Sequence, residues 1–369
     1  MTPTTGDGDP PSPTKSSLTQ RFFSSIGNKI KGFLMRRKPG FMGRISMYLV
    51  ERLLAFTRKL TQHSVPSSKP QEVIKNPQTE EDFKKNVDFL VKQSNLSGYA
   101  SQLNDSYLRE VAKKAVQLKN DPKNHLNNPD QITTLTQLAI YQPVLYCGMT
   151  DINPYMLKFV HSRLSSELQA LQELVKRIIS VATRAVPDNP EKPGEKLAGA
   201  SLRFMNMNNE HTICKLEDLS QVVFKAGGAT PLGTKLHDRV LKPLIYDVLG
   251  TQKMLPRPLL IFTITDGVPN TENRDTFPKK IVECMQYLTK HEYPREVVSF
   301  AISQVGDDEN AKIFLDSLNN DNKIRDVLHC TTELLDKRFE ELRANERDLE
   351  TWLLEMLSKQ IRIKKPESS

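Results

Sequence analysis

Between Leu259 and Ile264 the chain runs through six apolar or β-branched residues with no polar alternation, the pattern of a strand buried on both faces of a parallel sheet. The run ends in Thr265-Asp266-Gly267, a carboxylate at the strand's carboxyl end followed by a residue that lets the chain turn sharply. Open α/β sheets place their ligands at such ends, so Asp266 is the first candidate site residue. On either side, helical and extended patterns alternate. Leu164, Leu168, Leu171, Val175, Ile178 and Ala182 predict a long helix; Leu236, Val240, Leu244 and Val248 predict another, which Pro243 should kink. Further helices are expected near Lys279–Leu288 and Glu309–Leu318. Strands are expected at Tyr141–Cys147, Ala200–Met205, Gln221–Phe224, Glu296–Ser303 and Asp326–Cys330, with a short edge strand at Thr212–Lys215. This alternation predicts an α/β fold, a doubly wound, mostly parallel, six-stranded sheet of Rossmann-like type. Leu259–Thr265 should be central, with Tyr141–Cys147 parallel beside it.

Ahead of this domain the pattern is different. Residues 1–20 are rich in Pro, Thr, Ser and Gly and read as disordered. In residues 21–63, Phe22, Ile26, Ile30 and Phe33, then Ile45, Leu49, Leu53, Phe56 and Leu60, fall at helical spacing among Arg and Lys, which predicts a basic amphipathic arm of two helices. A polar linker, 64–79, leads to a small helical module, 80–130, with helices at Glu80–Gln93 and Ser106–Leu118. The main domain spans 131–332, followed by C-terminal helices over 333–361 and a tail, 362–369.

Charge sharpens this division. The chain of 369 residues carries a formal +8. Residues 1–64 hold 11 Lys and Arg against 3 Asp and Glu, and the remainder holds 41 of each sign. All the net charge therefore sits in the arm, and the globular part offers no case for nucleic-acid binding. The arm suits an anionic membrane surface through residues 21–60, a protein partner, or packing on the main domain. No run of 18 apolar residues and no secretory signal is present, and Cys147, Cys214, Cys284 and Cys330 are far apart, so reduced thiols and a cytoplasmic location are expected.

Gly227-Gly228-Ala229-Thr230-Pro231-Leu232-Gly233-Thr234 lies between an expected strand and helix, where backbone N–H groups and a hydroxyl are offered to an anion or a metal-bound water. Gly228 to Gly233 has the GxxxxG spacing of a phosphate loop, the basis of an alternative reading as a P-loop-like nucleotide-binding enzyme. Thr234-Lys235 reverses the required order and Pro231 removes a donor. The sequence displays no nucleophile and base pair at Cys147, His211 or His237.

TPLGT at Thr230–Thr234 on a GG turn, followed about thirty residues later by a buried strand ending TDG, resembles the second and third ligand loops of a von Willebrand factor A domain. IYQPVLYC at Ile140–Cys147, ASLRFMN at Ala200–Asn206 and SFAISQVGDD at Ser299–Asp308 are similar to fungal intracellular members of that family, and the resemblance spans roughly Thr133–Thr332. It implies a metal site in which a first-strand DxSxS, the loop Thr and the later Asp surround Mg²⁺. Here the matching stretch is Gly148-Met149-Thr150-Asp151-Ile152, which lacks the first carboxylate and the second Ser. Mg²⁺ wants about six oxygen ligands, so Thr150, Thr230 and Asp266 make a weak or vestigial site. The expectation is a non-catalytic protein-interaction or scaffold module with no cofactor beyond weak Mg²⁺, its protein partner unidentified. A membrane-anchored adaptor using the arm is the second alternative.

Overall fold

The computed structural model describes residues 73–361 apart from 95, 97, 149–156, 225–228, 332 and 360, and gives only the backbone of 157–168. The expectations for the arm at 21–63, for Thr150 and the rest of the first ligand loop, for Gly227 and Gly228, and for the tail lie outside the described residues.

Helices α1 (Glu80–Gln93), α2 (Asp105–Asn120) and α3 (Pro129–Ile140) come first. Each begins where the sequence supplies a cap. Thr79 and Asp82 form a capping box on α1, Asn104 caps α2, and Asn128 with Gln131 form a second box on α3, with Pro129 at its first position. The order then alternates: β1 (Gln142–Gly148), α4 (Leu157–Ala182), β2 (Ala200–Phe204), β3 (Glu210–Ile213), α5 beginning at Leu232, β4 (Leu259–Thr265), α6 (Thr276–Lys290), β5 (Val298–Gln304), α7 (Glu309–Asn319) and β6 (Leu328–Cys330). Helices α8 (Leu335–Leu342) and α9 (Glu346–Ser358) close the chain.

The six strands form one sheet in the order β3-β2-β1-β4-β5-β6, flanked by helices, with β3 alone antiparallel. Every residue of β2, β4 and β5 is buried, as a strand covered on both faces requires. β1 and β4 are parallel neighbours in the register Gln142 to Leu259 through Gly148 to Thr265, the adjacency expected from the sequence.

One local reading is corrected. Gln221–Phe224 is no strand: Gln221 ends a 3₁₀ turn, Leu216–Gln221, and irregular chain follows. Val222 is buried and Phe224 packs edge-to-face on Phe204, so the apolar pattern reports packing beside the sheet and not pairing within it. The helix containing Pro243 runs as an α-helical turn Leu232–Leu236, a π-helical stretch His237–Tyr246 and a closing turn Asp247–Gln252. Asp247 N–H reaches back five residues to the Lys242 carbonyl. The wider turn accommodates a residue with no N–H to give.

The first helices share one continuous core with the sheet, from Phe83 through to Ile361. Tyr99–Gln102 pairs with the segment before β4 through Ser101 N–H to Leu255 O (2.9 Å), Gln102 N–H to Pro256 O (2.9 Å) and Leu255 N–H to Tyr99 O (3.1 Å). The fully buried Arg257 donates to Ala139 O (2.6 Å), Ile140 O (3.4 Å) and Tyr141 O, capping the carbonyl end of α3 with a cation. Tyr107 also donates to Ala139 O (2.6 Å). Among the described residues no helix is long and apolar enough to cross a membrane.

Candidate functional site

The β1–β4 register brings the carboxyl ends of two parallel strands together, with Gly148 abreast of Thr265 and Asp266 next in the chain. Behind Asp266 the chain turns through Gly267 and returns past the start of α5. There it forms a strap. Asn270 Oδ1 accepts from Thr230 N–H (2.8 Å); Glu272 accepts from Gly233 N–H (2.5 Å), Thr234 N–H (2.9 Å) and Thr234 Oγ1 (2.6 Å). The loops of Thr230 and Asp266 therefore meet through direct bonds, while Thr150 lies outside the described residues.

The details decide what this junction can hold. Thr230 is 1 % exposed, and among the described residues its hydroxyl has no hydrogen-bond partner. Tyr146, on β1, donates from beneath to Leu232 O (3.0 Å), and burial first, then the charges of Glu272 and Asp238, push its phenol well above the usual range, so it stays a neutral donor. Gly233 is required by close approach: a Cβ there would lie 2.5 Å from Phe277 N and from Thr276 C, both backbone atoms at the start of α6.

Gly148 faces a side chain and not backbone. A Cβ on it would meet Met205 Sδ at 2.1 Å, Cε at 2.7 Å and Cγ at 2.8 Å. Met205 is 1 % exposed and is tied to β1 by its N–H to Cys147 O (2.9 Å). The side-chain space at the last residue of β1 is thus filled by a thioether, a soft and weak acceptor with little attraction for a hard cation. The amides that open α5 are similarly engaged. Glu272 takes two of them together with the Thr234 hydroxyl, supplying from within the chain the negative charge that a helix start attracts.

The remaining chemistry is quiet. Burial pushes the thiols of Cys147, Cys284 and Cys330 each up to about 12, and raises that of Cys214, so at neutral pH none is a ready thiolate. His237 Nδ1 lies 2.9 Å from Asp238 Oδ1 at the surface, and His211 is half-buried beside Phe204, at the free edge of the sheet. The chain matches no protein-family model and no curated protein. The reading of the site therefore stands on its residues alone.

Sequence reasoning singled out Thr230 and Asp266 but missed Met205, Asn270 and Glu272. Asn270 and Glu272 follow Asp266 by four and six residues, and the return of a loop to its neighbour is the signal that could have found them. Nothing in the local pattern of Met205 announces that it fills the space at Gly148.

Proposed function

We propose that this chain is a von Willebrand factor A-like interaction module of the cytoplasm that holds a protein partner without a metal ion and catalyses no reaction. The observation that carries the reading is Met205 seated against Gly148, where the family's pattern would require a carboxylate. The strand order, with β1 and β4 parallel at the centre, supports the family assignment, and so does the meeting of the Thr230 and Asp266 loops. Glu272 on the first amides of α5 speaks against the nucleotide reading, because a phosphate would have to displace a resident carboxylate from the same donors. The reduced, unreactive thiols fit a reducing compartment.

An A-type domain that binds through its metal completes the ion's coordination with a partner's carboxylate. A module lacking that metal must bind through other surface. The test is partner capture by the full chain in Mg²⁺ and in chelator, with ATP and GTP turnover measured on the same preparation. Equal capture in both buffers with no turnover is expected. Capture that requires Mg²⁺, or nucleotide hydrolysis that follows the protein through purification, would replace this reading.

A further inference from the structure

A second cluster of potential ligands lies away from the sheet's carboxyl end. Glu346 and Glu350 stand four residues apart on one face of α9, and His125, in the loop between α2 and α3, faces them. The nearest ligand atoms of the three side chains all lie within 4.8 Å of one another. They line a cleft of about 480 Å³ whose other walls include Arg184 and Lys196. The geometry points to a binding site for a borderline divalent cation, Zn²⁺ in the first instance, held by His125, Glu346 and Glu350.

Three observations carry this. The imidazole is the one member without a firm partner. Its Nδ1 is 3.6 Å from Glu350 Oε2, too long for a hydrogen bond, and among the described residues the ring makes none. The two carboxylates are held in place from behind. Arg177 pairs with Glu346 Oε1, and Arg184 grips Glu350 through both oxygens, with Nη1 at 2.6 Å from Oε2. A carboxylate has about four lone-pair sites, so each keeps capacity toward an ion while its orientation is fixed, as supporting hydrogen bonds fix metal ligands elsewhere. Finally, the cleft leaves room for water to complete the tetrahedral shell that Zn²⁺ prefers with nitrogen and oxygen donors.

Arg177 and Arg184 offset the charge of the two carboxylates, and Lys114, Lys123, Lys196 and Lys215 line the same cleft, so charge gives a cation no help and selection rests on ligand type. One imidazole and two carboxylates favour Zn²⁺ or Co²⁺ over Mg²⁺. The bound ion would join the α2–α3 loop to α9, segments more than 200 residues apart in sequence.

The experiment is Zn²⁺ titration of the full chain against a chromophoric chelator, with Co²⁺ absorption as the geometric readout and thermal unfolding recorded with and without Zn²⁺. Variants His125→Ala and Glu346→Gln are chosen because both side chains are partly exposed; Glu350 is left alone because its loss would strand Arg184. Asp266→Ala serves as the control at the sheet end. One Zn²⁺ per chain is expected, with tetrahedral Co²⁺ bands, a rise in unfolding temperature on adding Zn²⁺, and binding weakened at least about tenfold in each of the two variants. Asp266→Ala should bind as the parent does. Absence of stoichiometric Zn²⁺, equal affinity in His125→Ala and Glu346→Gln, or loss of binding in Asp266→Ala would overturn the assignment. None of these outcomes depends on whether the partner is bound without metal.

Discussion

Replacing Gly148 by Ala should destabilise the protein, and the same replacement in a Met205→Ala background should not. The φ of Gly148 lies outside the left-handed region, so a Cβ there is conformationally welcome. On backbone entropy alone Gly→Ala stabilises by about 0.4–1 kcal/mol. In the native packing that Cβ would fall 2.1 Å from Met205 Sδ, and ordinary contact begins at about 3.5 Å, so the thioether must withdraw by more than ~1 Å from a buried position. Overpacking of this kind costs about 1–3 kcal/mol, which outweighs the entropic gain. Met205→Ala alone opens a cavity and should cost about 2–5 kcal/mol. It also removes all three clashing atoms, Cγ, Sδ and Cε, so the added methyl at 148 then fills space and regains its entropic advantage. The effect of Gly148→Ala thus changes sign between the two backgrounds, with a coupling of about 1–3 kcal/mol. Urea unfolding of the four proteins measures it. Additive effects, or stabilisation by Gly148→Ala in the parent, would refute the claim that Met205 occupies this position.

Arg257→Met should cost about 3 kcal/mol or more in chemical denaturation, since it strips the donors from Ala139, Ile140 and Tyr141 at the buried end of α3; Arg257→Lys should recover only part, because one ammonium cannot span three carbonyls. Glu272→Ala should lower stability by about 1–3 kcal/mol by releasing Gly233 N–H, Thr234 N–H and Thr234 Oγ1, and a thermal melt unchanged from the parent would remove the strap from the account. Cys147, Cys284 and Cys330 hold their protons up to about pH 12 in the fold, whereas unfolded thiols ionise near ~8.5, so the unfolded state gains from proton loss first. Stability should be at its full value below ~pH 8.5 and fall above it by up to about 1.4 kcal/mol per pH unit for each thiol; urea melts that stay flat from pH 8 to 10 would contradict the burial of these groups.

The central sheet was legible because burial on both faces leaves a plain signature. Leu259–Thr265 and Tyr141–Cys147 have little polar content, and only parallel neighbours let their following loops meet. The helices at Glu80–Gln93 and Glu309–Leu318 were legible from their apolar spacing. Gln221–Phe224 misled because Val222 and Phe224 are apolar for packing reasons. Pro243 signalled a break, and the helix answered by widening its turn. The contacts that define the site were invisible for a different reason. Met205 against Gly148 and Glu272 on Gly233 join positions 57 and 39 residues apart, and side chains of these types carry no mark of such partners. The resemblance of TPLGT and TDG to ligand loops pointed to two loops that do meet, through Thr230 N–H and Asn270 Oδ1, and carried no information about Met205.

Magnesium calorimetry on the full chain, with Asp266→Ala and His125→Ala beside it, tests the metal-free reading of the sheet end most directly. With Met205 packed against Gly148 and, on the proposed family reading, two oxygen ligands missing, the parent should show no Mg²⁺ site tighter than about 1 mM, and all three proteins should give the same trace. One Mg²⁺ per chain bound well below ~1 mM, lost in Asp266→Ala and kept in His125→Ala, would contradict that reading and make the sheet end a working metal site.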